Sequence, residues 1–261
     1  MASPDAGVSG ARDERGAAAA GGAPGAAGGR SRPGQPPLEV PQAALFWERR
    51  YAEAGRLWGD GPSELALLAV ARLRASAFSE LTILDVGCGY GRDARYLAAE
   101  LGCRVIGLDP SPAATALALK ARSVGLDVDY VTGDLGMLLS DPDVAGPYDV
   151  AFVASVYHLL GPIGRREFAA ALAAAVRPGG LLFLSTLSPR DPQHYAVGRP
   201  VTGETRSWID RTYLHFCVAD ELERDFAAFK VLDLDERAYL EHNRDGQVHR
   251  HTSWFLEGRR R

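Results

Sequence analysis

Cysteine is scarce in this chain: Cys88, Cys103 and Cys217 are the three among 261 residues, and none forms a C-x-x-C pair. That spacing builds no disulfide framework and suits a reducing cytoplasm. Lysine is scarcer still, at Lys120 and Lys230, so arginine carries nearly all the positive charge. The formal net charge of −4 gives no reason to expect nucleic acid or an anionic membrane as partner. No apolar run nears the roughly 20 residues of a membrane-spanning helix. Large apolar residues are nearly missing from the first 37 positions, where 19 Ala or Gly and 5 Pro stand instead. Such a segment buries too little surface to offset the entropy of ordering it, so residues 1–38 read as a disordered tail. It lacks the apolar core of a signal peptide, and Asp5, Asp13 and Glu14 interrupt any transit-peptide pattern. Residues 39–261 are enough for one sizeable domain.

The densest information lies between positions 81 and 111. Leu81, Ile83, Leu84 and Val86 form a short apolar run, the pattern of a central parallel strand. Gly87, Gly89 and Gly91 come next, removing Cβ atoms where backbone must pass close to a ligand. A helix can start at Arg92. A second short apolar strand, Val105 to Leu108, ends in Asp109, 20 residues after Gly89. A carboxylate there can accept hydrogen bonds from a ribose diol, so the chain is expected to bind a nucleoside-containing cofactor. The spacing is Gly-x-Gly-x-Gly after Asp85, not the Gly-x-Gly-x-x-Gly of a dinucleotide loop. An acid beside the turn suits a cationic ligand better than a pyrophosphate, which needs free helix amides. Asp85 either touches that ligand, directly or through water, or only orients the loop.

Asp85-x-Gly87-Cys88-Gly89-x-Gly91 resembles the first motif of class I S-adenosylmethionine-dependent methyltransferases. Gly107-Leu108-Asp109-Pro110-Ser111 is similar to their ribose-binding motif, and Thr132-Gly133-Asp134-Leu135 to the motif whose acid meets the adenine amino group. Residues 148–155, ending in Ser155, resemble the fourth strand, and Arg177-Pro178-Gly179-Gly180 the turn that opens the fifth. The resemblance covers residues 45–261. It implies an α/β, Rossmann-like sheet of seven mostly parallel strands, order 3-2-1-4-5-7-6, with helices on both faces and a C-terminal antiparallel hairpin. It also implies S-adenosyl-L-methionine as cofactor; no metal ligands are expected. The aromatic opening, with Trp47 and Trp58, resembles the thiopurine and tellurite-resistance type of small-molecule methyltransferase, in which a tryptophan lies near the sulfonium or the substrate.

Local signals agree with that architecture. Ser63 is placed to cap a helix over 64–74, and Ser111 with Pro112 to start another running to about 123. Strands are expected over 128–131, 149–155 and 181–186, an alanine-rich helix over 165–176 and a helix over 219–229. Two long strands, 231–241 and 247–257, flank Asn243-Arg244-Asp245-Gly246, a hairpin signal. Residues 188–218 carry Pro189, Pro192, Gly198, Pro200 and Gly203 and read as an irregular insert, a lid or substrate-binding loop. With a tight turn, His242 shares a face with His249 and His251, a trio that could bind a metal, line a solvated sheet edge or hold a polar or anionic substrate.

Methyl transfer is an in-line displacement with a neutral thioether leaving, so positioning and exclusion of water carry much of it. A base is needed only for an acceptor that arrives protonated. Tyr157, His158 and His215 are the candidates, His158 because it directly succeeds the fourth strand. The Asn/Asp-Pro-Pro-Tyr motif of amino-methylating enzymes is absent; Ser155-Val156-Tyr157-His158 stands there. The expected acceptor is therefore a small molecule with an oxygen, sulfur or chalcogen nucleophile. The rival readings are a silent cofactor-binding protein and a nicotinamide-dependent oxidoreductase.

Overall fold

The computed structural model describes residues 41–75, 81–244 and 246–261; the tail expected over 1–38 lies outside them. Two helices come first, α1 (Pro41–Ala54) and α2 (Glu64–Arg74). Ser63 caps α2 as its sequence indicates, its side chain accepting from the Ala66 amide. Strands and helices then alternate: β1 (Thr82–Val86), α3 (Arg92–Leu101), β2 (Arg104–Asp109), α4 (Pro112–Lys120), β3 (Val128–Thr132), α5 (Leu135–Ser140), β4 (Tyr148–Ala154), α6 (Pro162–Ala175) and β5 (Val176–Leu187). The insert forms β6 (Arg199–Pro200), β7 (Ser207–Ile209) and β8 (Tyr213–His215). The chain closes with α7 (Ala219–Asp225), β9 (Phe229–His242) and β10 (Val248–Arg260).

The main sheet has seven strands in the order β3-β2-β1-β4-β5-β10-β9. β1 pairs in parallel with β2 and β4, whereas β10 runs antiparallel to both β5 and β9. This is the expected order, the last two strands of the chain being the seventh and sixth of the sheet. Period-two alternation explains the short continuous apolar runs. Leu84, Ile106, Leu108, Ala151, Val153, Leu182 and Leu184 face one core, shared with Leu138, Leu172 and Phe226. Their neighbours Ile83, Val105, Val150, Phe152, Leu181 and Phe183 face a second core under α2 and α3. Helices cover both faces, so neither side of these strands is polar. Each fully buried large side chain contributes about 1.5–3 kcal/mol.

Three features depart from the expectations. The short helix α5 stands where the sequence signals give no element; Asp134 caps it, accepting from the Met137 amide. The insert, expected to be irregular, is a three-stranded antiparallel sheet in the order β6-β7-β8. Its strands are two or three residues long, too short for a period-two pattern to show. The hairpin register pairs Val248 with His242, His249 with Glu241 and His251 with Tyr239. The connection is one residue longer than a tight turn over 243–246, and a one-residue slip sends every side chain to the other face. His242 is therefore not on the face of His249 and His251; Glu241 and Tyr239 are.

The long hairpin also reaches back across the carboxyl ends of the central strands. Gly59 donates its amide to the His242 carbonyl at 2.9 Å, Trp58 forms a bridge with Asn243, and Arg92 at the start of α3 holds Glu241 at 2.6 Å. β9 thus joins the N-terminal segment and the helix after β1, although β4, β5 and β10 separate it from β1 in the sheet.

Candidate active site

The glycine turn sits where the strand order reverses, at the carboxyl end of β1. Gly87, Gly89 and Gly91 all have positive φ, at 75°, 55° and 74°. A Cβ would lie 2.2 Å from Val156 Cγ2 at Gly87, 2.7 Å from the Tyr51 hydroxyl at Gly89 and 2.3 Å from the Tyr130 hydroxyl at Gly91. Glycine is required there by the protein itself, since three side chains already close on the turn. The turn amides are also spent internally. Gly87 and Cys88 donate to the Leu108 carbonyl, Gly91 donates to Cys88, and Gly89 donates to Asp109 Oδ2 at 2.8 Å. Little remains to cradle a pyrophosphate.

Asp109 ends β2 and accepts a second amide, from Ser111 to Oδ1 at 2.9 Å. Burial raises its pKa, the two amides work against that rise, and nearby Glu48 adds to it. Ser111 caps α4, accepting from Ala114, and its hydroxyl donates to Glu48 of α1. Pro110 is exposed beside it. Asp85, two residues before Gly87, is 2% exposed, and its Oδ2 has no partner. Burial first, then Asp93 and Asp109, push its pKa well up, while Arg92 and the Ala94 amide oppose this. An orphaned carboxylate oxygen near two other acids, with glycines clearing the backbone beside it, fits a ligand that brings positive charge. Asp134 stands exposed just beyond β3, at the start of α5, whereas the Leu135 side chain packs into the core. Cys88 is buried, its sulfur facing Gly107 across the floor of the turn, and burial raises its pKa. Trp58 packs with Trp47, Tyr51 and Tyr90 in an aromatic cluster that covers the turn. Asp85, Cys88, Asp109, Ser111 and the aromatic cluster stand around the glycine turn, and Asp134 stands apart at the end of β3.

Ser155, expected on the cofactor side, and the three candidates for acceptor chemistry are placed differently. Ser155 comes directly after β4, exposed, in a left-handed conformation with φ 59°. Such a backbone costs a non-glycine residue about 1–3 kcal/mol and marks functional sites. His158 lies three residues on, in a 3₁₀ turn over Tyr157–Leu159, 6% exposed, with no partner on Nδ1. Burial, with His194 and His251 nearby, lowers its pKa to about 3. Tyr157 instead points into the core between Phe168 and Phe226 and donates its hydroxyl to Asp225 at 2.7 Å. His215 is committed at both nitrogens, Nδ1 to Ser207 at 2.8 Å and Nε2 to Glu221 at 3.0 Å. The structure does not bring Tyr157 or His215 together with His158 at a free proton-accepting atom.

Sequence reasoning missed Asp191 and His194 in the insert. The Asp191 side chain is fully buried and holds His194 Nδ1 at 3.0 Å and His251 Nδ1 at 3.2 Å. It also accepts amides from Gln193, His194 and Thr252. Burial works to raise its pKa, but those hydrogen bonds, led by the two imidazoles, hold it far below the carboxylate range. The Asp-x-x-His spacing was the available signal. Beyond it, a cleft of about 230 Å³ opens between Gly59, Pro62, Arg92, Tyr239 and Glu241. Tyr239 and Glu241 also contact His251.

A doubly wound sheet with a buried carboxylate at the end of β2 and an acidic, glycine-cleared turn beside it is the class of α/β protein that suits a nucleoside-containing cofactor. Known proteins narrow the class. The methyltransferase-domain family matches residues 83–180. A ubiquinone biosynthesis O-methyltransferase of Cereibacter sphaeroides is 30% identical over 184 residues, covering 68% of this chain and 67% of that enzyme. The fold is shared with an S-adenosylmethionine-dependent methyltransferase from Anabaena variabilis, TM-score 0.65 at 19% identity over 87% of this chain and 98% of that one. It is shared too with TehB from Haemophilus influenzae, TM-score 0.56 at 15% identity over 84% of this chain and 67% of that one. The chain belongs to the S-adenosylmethionine-dependent methyltransferases. It spans 54% to 66% of the length of four further curated relatives, all ubiquinone biosynthesis O-methyltransferases.

Proposed function

We propose that this protein transfers the methyl group of S-adenosylmethionine to a hydroxyl of a small molecule. One observation carries the reading: Asp85 is buried with an unpartnered oxygen two residues before a glycine-cleared turn, and Val156, from the segment that holds His158 and its unpartnered Nδ1, closes on that turn at Gly87. Asp109 and Ser111 would hold the ribose, Asp134 the adenine edge, and the acids around Asp85 the cationic methionine end. When bound, the cofactor supplies an electrophilic methyl group with a neutral leaving thioether. The chain's own part is to bind, orient and exclude water. Tyr51, Trp58 and the hairpin tip close the cradle from above.

Neutral throughout the physiological range, His158 accepts a hydrogen bond from the acceptor hydroxyl and aims the oxygen. With a pKa near 3 it is too weak a base to remove that proton outright. An oxygen acceptor is favoured among oxygen, sulfur and chalcogen because the curated relatives are named as O-methyltransferases. Three free, buried thiols support a reducing, cytoplasmic setting. Among the described residues no helix is long and apolar enough to cross a membrane.

Calorimetric titration with S-adenosylmethionine and S-adenosylhomocysteine, with NADH as control, tests the cofactor. Saturable binding of the first two alone supports the reading, and binding of NADH alone overturns it. A screen of hydroxylated aromatics then tests turnover. Cofactor binding without methylation of any acceptor would leave a silent binding protein.

A further inference from the structure

Two groups of potential metal ligands stand among the described residues: Asp191, His194 and His251, and His215, Cys217 and Glu221. The second group carries its own cations. Arg206 lies 3.2 Å and Arg165 3.5 Å from Glu221, and both nitrogens of His215 are taken. Two guanidiniums on the carboxylate repel an ion, so this group is a structural ion-pair network.

The first group is different. The ion-pair partners of Asp191 are imidazoles, not guanidiniums. Its three side chains come from the insert and from β10, and one donor atom of each lies within 4.8 Å of the others. Two donors each about 2.1 Å from one ion stand about 3.0 Å apart at a right angle and about 3.4 Å apart at the tetrahedral angle. His194 Nδ1 lies 3.0 Å from Asp191 Oδ1 and His251 Nδ1 lies 3.2 Å from Asp191 Oδ2, so both oxygens of the carboxylate face the pair of imidazoles at that range.

Outer groups stand nearby. Ligating imidazoles give their second nitrogen to a carboxylate. His251 Nε2 lies 3.7 Å from Glu241 Oε2, and Arg92 anchors Glu241 at 2.6 Å. Backbone amides of Gln193, His194 and Thr252 fix Asp191. A second, independent observation is His158. Its imidazole is 6% exposed, with an unpartnered Nδ1, and His194 and His251 are the titratable groups that weigh on it most. A buried polar atom without a partner costs about 1–3 kcal/mol unless something supplies one.

We infer that Asp191, His194 and His251 form a binding site for a divalent cation of the zinc type, with an open position for the acceptor oxygen. Three protein ligands and one open position is the pattern of a catalytic site, and imidazole with carboxylate suits zinc and its neighbours. The inference rests on the methyl-transfer reading and supplies what that reading lacks. That reading names no group that removes the acceptor proton, whereas a cation lowers the pKa of a coordinated hydroxyl. The acceptor O–H then releases its proton to solvent. Its oxygen bonds the methyl carbon as the carbon–sulfur bond breaks, and that electron pair leaves on sulfur.

The test uses the full chain stripped with EDTA and dialysed. Co²⁺ is titrated while its visible absorption is followed, and Zn²⁺ by calorimetry. The expected result is one ion per chain. Affinity should fall at least about 100-fold in His194→Ala, beyond the loss typical of an outer partner. It should hold in His249→Ala, whose ring stacks on His251 without joining the set. Because His194 is about one-third exposed, its removal spares the core; His251→Gln, with a melting curve, is the second variant. Absence of binding, or equal affinity in His194→Ala and the parent, overturns the inference. S-adenosylmethionine binding measured in EDTA separates the two readings. If it persists without cation binding, only the metal site fails; if the cation binds and the cofactor does not, only the methyl-transfer reading fails.

Discussion

His158 should make this protein lose stability in mild acid, earlier than its carboxylates alone would dictate. The imidazole titrates near its ordinary 6.5 when unfolded and near 3 when folded. A base with a depressed folded pKa contributes stability that is complete above 6.5 and lost as the pH falls toward 3, because the unfolded chain then binds the extra proton. At pH 5.0 the unfolded imidazole is charged and the folded one neutral, a gap of about 1.5 pH units below the unfolded pKa. At about 1.4 kcal/mol per unit this amounts to about 2 kcal/mol lost between about pH 7.5 and about pH 5.0. Glu221, depressed to about 2, and Asp191 act in the same direction but below the ordinary carboxylate range. Asp85 and Asp109 are raised and act in the opposite direction, equally in any variant. Urea unfolding of the parent and His158→Gln at both pH values isolates the imidazole. The parent should lose about 2 kcal/mol more than the variant; losses equal within about 0.5 kcal/mol would refute the buried, neutral assignment.

Other consequences are as direct. Gly89→Ala places a Cβ at φ 55° against the Tyr51 hydroxyl, so it should cost about 1–2 kcal/mol of stability and weaken S-adenosylmethionine binding more than about 10-fold by calorimetry. Asp109→Ala should abolish measurable cofactor binding, and unchanged affinity would remove Asp109 from the ribose role. Ser155→Gly relieves the left-handed strain at φ 59° and should hold or raise stability by up to about 1 kcal/mol in the same unfolding assay, whereas Ser155→Val should lower it.

The turn and strand ends proposed to hold the cofactor were legible because they are local. Asp85, the three glycines, Asp109 and Ser111 fall within 27 consecutive positions, and their roles derive from strand ends and caps that short patterns encode. The acceptor half was not, because it is assembled from distant segments. His158 lies just beyond β4, Asp191 and His194 belong to the insert, and His251 depends on the register of a hairpin whose turn is one residue longer than its sequence signal implied. That single residue exchanged His242 for Glu241 on the inward face. Tyr157 and His215 illustrate the complementary difficulty. A residue type and a position beside a strand end do not reveal that a hydroxyl is tied to Asp225 or that both nitrogens of an imidazole are spent.

The hairpin is also the part of the site most open to a stability test, through Arg92 and Glu241. Their side chains are 14% and 18% exposed, so the pair is largely withdrawn from water. Burial lowers the Arg92 pKa, but Asp93 and Glu241 overcome this and raise it, keeping the guanidinium charged. Removing one partner leaves Arg92 with only Asp93 at 3.9 Å, or Glu241 with only His251 at 3.7 Å; a lost partner costs about 3–5 kcal/mol when burial is complete and about 2 kcal/mol at this exposure. Removing both abolishes the uncompensated charge. Arg92→Met and Glu241→Gln should therefore each lose about 2 kcal/mol, and the double variant about 1–2 kcal/mol less than their sum. Because Glu241 also steadies His251, Glu241→Gln should raise the acceptor KM while cofactor affinity stays within about threefold. Additive losses in unfolding, or an equal fall in cofactor affinity, would mean that the hairpin tip does not join the two halves of the site through this pair.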